Sequence, residues 1–494
     1  MKNILIVGGG SAGWMTAATL LKAFPNKNIS LIESPNIATV GVGESTIEGI
    51  RSWVKYIGID EKDFIKETEG SYKLSIKFTD FYKKGESFHY PFGRTNLQND
   101  WWFKKFVYPK TPNSDYADCM YPNQMAYVNN NKFNKEKTSY AYHFDATKFA
   151  IWLRDKYCIP KGITHIKEEI KTIEQDENGI KSLNKKHKAD LYIDCTGFKS
   201  LLLSKTLKEP FESYSDMLPN DSAWATKIQY KNKEKELQPY TNCTAIENGW
   251  VWNIPLWSRI GTGYVYSSKF VDDDTALKQF KKHLGREDLE FRNIKMRVGI
   301  HNRLWVKNVC AIGLAAGFIE PLESNGLYSV HEFLFHLVRN MQREKVSQWD
   351  KDNFTFQSKH LFREFAEFVA LHYALSHRTD TEYWKANFNK SWEDKLINLK
   401  PSIINGFLTA AYDRFKHYRF HMDGGLHCIA AGMNWSPTEK FSLEYANECD
   451  INTLSREWIK DIHKLNKTKD ECNERVKEEP SLYSVLMKGN NVDV

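Results

Sequence analysis

The apolar run Ile4-Leu5-Ile6-Val7 ends on Gly8-Gly9-Gly10-Ser11-Ala12-Gly13-Trp14, and no other stretch constrains the fold as strongly. A short β-branched strand feeds a Gly-x-Gly-x-x-Gly turn, which opens a helical pattern running through Leu21. Gly8 permits the tight turn, Gly10 lets the backbone approach a pyrophosphate, and Gly13 brings the helix close to the strand. The helix N-terminus, with Ser11, Ala12 and Trp14, then presents free N–H groups to the phosphates. A second strand, Asn28–Glu33, ends on an acidic residue, Glu33, placed to hold a ribose hydroxyl. The glycine pattern alone is weak. Strand, glycines, helix, strand and acidic end in order make a dinucleotide site the strong reading.

A second glycine-bearing turn, Val40–Thr46, precedes an amphipathic segment through Trp53. Ser71–Tyr82 alternates polar and apolar residues, which predicts one half-buried strand. About residues 89–138 the chain is rich in Asn, Asp, Pro, Tyr and Trp and lacks periodicity, so an irregular and functional excursion is expected. Ala223–Ser268 reads as an antiparallel sheet, and Val309–Gly317 as a buried strand ending in small residues. From Tyr328 the period is helical, in Val330–Gln342, Leu361–His377 and Ile403–Phe420, with a charged surface helix near 464–479. The expected class is α/β: a nucleotide-binding Rossmann-like domain with an antiparallel sheet over residues 1–330, then a mainly helical substrate-side region over 331–494.

At 494 residues the chain can bury a large core. Its +7 net charge is a small difference between 69 basic and 62 acidic residues, and the basic runs are short, so a nucleic-acid footprint is not expected. No apolar run is long enough to span a bilayer. Eight scattered cysteines without Cys-x-x-Cys or His/Cys ligand spacing argue for a reduced, cytoplasmic protein without a structural metal. The first strand begins at the N-terminus, which leaves no room for a signal peptide in this reading.

Four stretches together resemble the flavin-dependent halogenases of the tryptophan-halogenase type: Gly8–Gly13, Lys73 within Ser71-Tyr72-Lys73, Trp250-Val251-Trp252-Asn253-Ile254-Pro255, and Glu320-Pro321-Leu322-Glu323-Ser324. Gly41–Glu44, His143–Ala146, Gly261–Ser268 and Thr379–Thr381 support them, and the resemblance thins after about residue 385. It implies FAD as cofactor, used as FADH2 from a separate flavin reductase, since no second glycine motif could hold a nicotinamide. It further implies hypohalous acid made from oxygen and chloride, bromide or iodide, passing through a tunnel to a small aromatic substrate.

By the same resemblance Lys73 and Glu323 are catalytic, and the N–H groups of Asn325 and Gly326 hold halide in an anion nest. Val42, Gly43, Glu44, Ile170, Gly313, Leu314 and Leu327 join the flavin contacts. Trp250 and Trp252, with Ile254 and Pro255, shield the flavin; being two apart, the tryptophans share one strand face. Tyr90, Phe92 and Ser324 are candidate substrate neighbours, and a homodimer is a possibility. Read without the resemblance, Lys73 is a solvent-facing lysine, Lys77 lies on the surface, and His143 with Asp145 starts a helix that Asp145 caps. Glu320 and Glu323, three apart, are then equal candidates for the active carboxylate; the resemblance selects Glu323 and makes Glu320 structural. His417, His421 and His427 lack ligand spacing for a metal.

Ser324-Asn325-Gly326 replaces the family's usual Ser-Thr-Gly. Tyr412–Trp435 lacks the Trp-then-Asn clamp of tryptophan-specific members. An indole, phenol or other electron-rich aromatic is therefore expected ahead of free tryptophan. A flavin-dependent aromatic monooxygenase and a catalytically inactive FAD-binding relative are the alternatives.

Overall fold

The computed structural model describes residues 1–36, 43–93, 116–392, 394–396, 422–434 and 451–490. Val42, Ile403–Phe420, His417 and His421 lie outside the described residues, as does most of the Tyr412–Trp435 stretch.

The strand Asn3–Val7 is buried except at its first residue and runs parallel to Asn28–Glu33 on one side and Leu191–Asp194 on the other. Strands buried on both faces read as continuous apolar runs, which is how Ile4–Val7 reads. Thr164–Lys167 and Val309–Ala311 extend the sheet in parallel, and Trp305–Val306 closes one edge antiparallel. The helix Ser11–Ala23 buries Gly13–Leu20 against this sheet. The expected Rossmann-like unit is therefore present, with its glycine turn at the carboxyl end of the central strand.

A second sheet of seven strands is ordered Arg292–Lys295, Ser222–Ile228, Ile260–Tyr266, Gly249–Pro255, Tyr240–Ile246, Ser75–Thr79 and Ser87–Pro91. All its pairings are antiparallel except Tyr240–Ile246 with Ser75–Thr79. A small third sheet places Ala141–Asp145 between Gly43–Ser45 and Ser71–Lys73. Helices Gly326–Asn340 and Gln348–Ala374 follow, and the buried core continues from the nucleotide sheet into them.

Two expectations change. Ser71–Tyr82 is not one half-buried strand: Ser71–Lys73 belongs to the small sheet and Ser75–Thr79 to the large one. The switch is at Leu74, whose N–H donates to the Pro239 carbonyl while its own carbonyl accepts from the Phe92 N–H. Both faces of Ser71–Lys73 are consequently covered, and Lys73 is fully buried rather than solvent-facing. The excursion after His89 is partly regular, with helices at Tyr116–Met120 and Pro122–Asn129 packed on the core; Pro122 sits at a helix start, where its missing N–H costs nothing.

Candidate active site

A cavity of about 700 Å³ opens where the glycine turn meets the two large sheets. Gly8, Gly10, Ser11, Ala12 and Trp14 line one end with Glu33, and Gly43, Glu44, Ile170, Gly313, Leu314 and Leu327 line the remainder. Gly13 is buried behind them, against the Gly8 carbonyl, where a Cβ would collide. A Cβ on Gly9 would likewise collide with the Glu33 carboxylate, which folds back over the turn and pairs with His165 at 2.7 Å. His165 packs edge-on to Trp14, so a residue that carried no sequence signal orients the Glu33 carboxylate. Gly313 has φ +68° and sits against Ala12, a backbone shape that favours glycine. A pocket with a helix N-terminus, a close-approach glycine cradle and the Glu33 carboxylate on its wall fits FAD.

At the far end the cavity wall includes the hydroxyl residues Ser45, Thr241 and Ser324, with Trp252 and Ile254 nearby. Lys73 and Glu323 are not on that wall; they lie behind it. Lys73 Nζ donates to Ser45 Oγ at 3.0 Å, the Thr46 carbonyl at 2.9 Å and Ser324 Oγ at 2.8 Å. Its position follows from the small sheet. Ser71 and Lys73 share a strand face, and the residue opposite Lys73 is Ala141, whose short side chain leaves room for the lysine stem to cross toward Ser45. Burial pulls the ammonium down to about 7 against the opposing pull of Cys243, Glu323 and Glu44. Nζ also lies 5.2 Å from the centre of the Phe92 ring, and Tyr90 packs edge-on to Phe92 and Phe368.

Glu323 ends the 3₁₀ turn Pro321–Glu323, and Ser324 follows with a left-handed φ of 57°. The turn buries the carboxylate and aims it at His372, whose Nε2 is 2.9 Å from Glu323 Oε1. The imidazole is thus the carboxylate's close polar partner, and the Glu323 oxygens make no other side-chain hydrogen bond among the described residues. Burial raises the Glu323 carboxyl; His372 and Lys73 oppose it.

Glu320, three residues earlier, has a different environment. Its Oε2 accepts from Trp250 Nε1, Asn220 Nδ2 and the Tyr373 hydroxyl, each at 2.8 Å, and Asn220 Nδ2 also donates to the Tyr373 hydroxyl at 2.9 Å. Adjacent residues His372 and Tyr373 of one helix thus meet the two glutamates of one turn. Trp250 is fully buried and off the cavity wall, as is Pro255, whereas Trp252 and Ile254 face the cavity. Trp250 therefore supports the site through Glu320 rather than by touching the flavin space.

Asn325 and Gly326 begin the helix Gly326–Asn340 and border the cavity. Their N–H groups are among those a helix start leaves without intrahelical partners. Glu44 reaches over this start, since a Cβ on Gly326 would meet Glu44 Oε1 at 3.0 Å. Burial raises the Glu44 carboxyl to about 7, with Lys73 opposing.

His143 is not a helix-start residue as expected, although Asp145 does cap the next helix by accepting from the Lys148 N–H. It is fully buried in a strand and hydrogen-bonded to Ser71 and Thr241. Lys77 is half-buried rather than at the surface. No group of side chains suited to a metal ion occurs among the described residues, and no described helix is long and apolar enough to cross a membrane.

Fold and site define a flavin-dependent halogenase, an enzyme that uses FADH2 to halogenate an aromatic substrate. The tryptophan halogenase family profile matches residues 3–443, and the chain belongs to that family. It is 36% identical over 415 residues to tryptophan 7-halogenase RebH of Lentzea aerocolonigenes, covering 78% of each chain. With tryptophan 6-halogenase ThaL of Streptomyces albogriseolus it shares 34% over 481 residues, covering 88% of this chain and 90% of that one. The solved structure of Tar14, a tryptophan C-6 flavin-dependent chlorinase from taromycin biosynthesis, superposes with a TM-score of 0.86 at 29% identity, over 99% of this chain and 100% of the other. The monooxygenase and inactive-relative alternatives gain no support.

Proposed function

We propose that the chain halogenates an electron-rich indole- or phenol-like substrate with hypohalous acid guided by Lys73 and Glu323. The carrying observation is the placement of both residues, buried together behind the hydroxyl wall of the cavity, with His372 as the close polar partner of the Glu323 carboxylate. Bound FAD, delivered reduced by a separate flavin reductase, supplies hypohalous acid from oxygen and halide. Gly8, Gly10, Ser11 and Ala12 would hold its pyrophosphate, Glu33 its ribose, and Gly43, Ile170, Gly313, Leu314 and Leu327 the remainder. The N–H groups of Asn325 and Gly326 would hold chloride, bromide or iodide.

The chain's own groups then divide the work. Lys73 receives hypohalous acid and directs it to substrate lying toward Tyr90 and Phe92, either by donating a hydrogen bond or as a neutral amine that carries the halogen. Glu323 offsets positive charge growing on the attacked ring and accepts the ring proton; His372 meets Oε1 and leaves Oε2 available. Trp252 and Ile254 keep bulk water from the flavin space. Residues 1–330 hold the cofactor in this reading and 331–494 shape the substrate side, with a cytoplasmic homodimer as the working form. The described cysteines are all buried and form no disulfide with one another, in keeping with a reducing compartment. The names of the relatives make an indole the first substrate to test.

The test is mass spectrometry of reactions containing FAD, a flavin reductase, NADH and oxygen, with each halide in turn and a panel of indoles, phenols and anilines. A halogenated product that disappears without halide is expected. Oxygenated product alone, or NADH oxidation without added reductase, would overturn the corresponding part of the reading.

A further inference from the structure

The hydroxyls around Lys73 form one end of a buried hydrogen-bonded chain whose direction can be worked out atom by atom. In the small sheet, Ser45 and Ser71 both pair with His143, one on each side, so the three side chains form a row across one face. Lys73 Nζ donates to Ser45 Oγ at 3.0 Å; Ser45 Oγ and Thr241 Oγ1 are 2.6 Å apart; Thr241 Oγ1 and His143 Nε2 are 2.9 Å apart. On the other ring nitrogen, His143 Nδ1 lies 3.2 Å from Ser71 Oγ, which is 2.5 Å from the Pro255 carbonyl.

A carbonyl only accepts, so the Ser71 hydroxyl proton is committed to Pro255. Ser71 Oγ must then accept from His143 Nδ1–H, which leaves the lone pair of the neutral ring on Nε2. Thr241 donates to that lone pair, Ser45 donates to Thr241, and Ser45 can only accept from Lys73. Every hydroxyl of the chain thus points from the lysine toward the histidine.

We propose that His143 is the proton acceptor of Lys73, taking one proton through Ser45 and Thr241 so that the lysine can meet hypohalous acid as a neutral amine. Three transfers accomplish it: a Lys73 N–H proton passes to Ser45 Oγ, the Ser45 proton to Thr241 Oγ1, and the Thr241 proton to His143 Nε2. The ammonium becomes an amine, the imidazole becomes an imidazolium, and no oxidation state changes. The Ser45 hydroxyl, now carrying the former lysine proton, faces the amine lone pair. Beyond His143 the route ends at Pro255, so the histidine stores the proton and returns it by the same path. His143 acts through Lys73 and not on the substrate, which makes it a positioning residue.

The charges around the pair are consistent with one shared proton. Burial lowers both groups, Lys73 to about 7 and His143 well below its ordinary value with the Lys73 cation adding to the effect, so the transfer runs uphill and is drawn forward as hypohalous acid consumes the neutral amine. Glu323, Glu44 and Cys243 face Lys73; along the His143 strand, Asp145 is already paired with Arg259 at 2.5 Å.

The inference rests on the halogenase reading with Lys73 as a reacting group. Its test compares wild type, Thr241→Val, Thr241→Ser and His143→Gln in single turnovers with pre-reduced FAD, followed by product mass spectrometry from pH 6 to pH 9. FAD affinity and melting temperature are measured alongside. Thr241→Val and His143→Gln are expected to lose at least about tenfold in rate near pH 6 and less than about twofold near pH 9. Thr241→Ser, which keeps the hydroxyl, should follow wild type. A loss by the same factor at every pH, or no loss at all, overturns the relay while leaving the halogenase reading intact. Absence of halogenated product from wild type with any halide would instead count against the halogenase reading itself.

Discussion

Replacing Lys73 by Met keeps much of the side-chain volume and removes a fully buried cation, and its consequence for stability can be worked from the structure. Burial lowers Lys73 from its ordinary 10.5 to about 7, which disfavours the folded ammonium by ~5 kcal/mol, at ~1.4 kcal/mol per pH unit. Between these two values the unfolded chain holds the lysine proton and the folded chain does not. Stability of the wild type therefore rises with pH across this window, at up to ~1.4 kcal/mol per pH unit. Lys73→Met lacks this contribution. Glu44 works in the same direction: without Lys73 its carboxyl rises further and titrates later in the variant. Urea unfolding of both proteins at several pH values between about 7.5 and 9 should show wild type gaining roughly 2 kcal/mol on the variant. A difference independent of pH would refute the argument, because Lys73 would then carry the same charge folded and unfolded. Halogenation by the variant should be lost throughout, and retention would remove the lysine from the chemistry.

Glu323→Gln keeps the shape but not the charge or basicity, and should lower kcat by about 10²–10⁴-fold with FAD affinity unchanged, since Glu323 is off the cavity wall; rapid-quench kinetics and flavin fluorescence separate the two effects. Gly9→Ala forces a Cβ against Glu33 and should weaken FAD binding at least about tenfold, a loss of ~1.4 kcal/mol or more by titration. Trp250→Phe removes one donor from the buried Glu320 carboxylate and should cost about 1.5–3 kcal/mol in urea unfolding; an unchanged midpoint would mean Glu320 is satisfied elsewhere.

The sequence by itself determined the nucleotide unit, because the glycine turn is local: the backbone shapes it needs are set by residues a few positions apart, between a strand and a helix that declare their own periods. It also determined the Trp-x-Trp face and the Glu-Pro-Leu-Glu turn, and through them the family. Tertiary structure decided what the same residues experience. Lys73 alternates like a surface lysine, yet the strand breaks at Leu74 and enters two sheets, so both of its faces are covered. Glu320 and Glu323 are equivalent in spacing; the adjacent Tyr373 and His372, some fifty residues later, put one beside a phenol within a hydrogen-bonded cluster and the other beside an imidazole. His143 read as part of a helix start because its partners, Ser45, Ser71 and Thr241, come from three other strands. Burial, and with it the titration of Lys73, Glu44 and Glu323, arises from those long-range pairings, which no periodicity within one segment records.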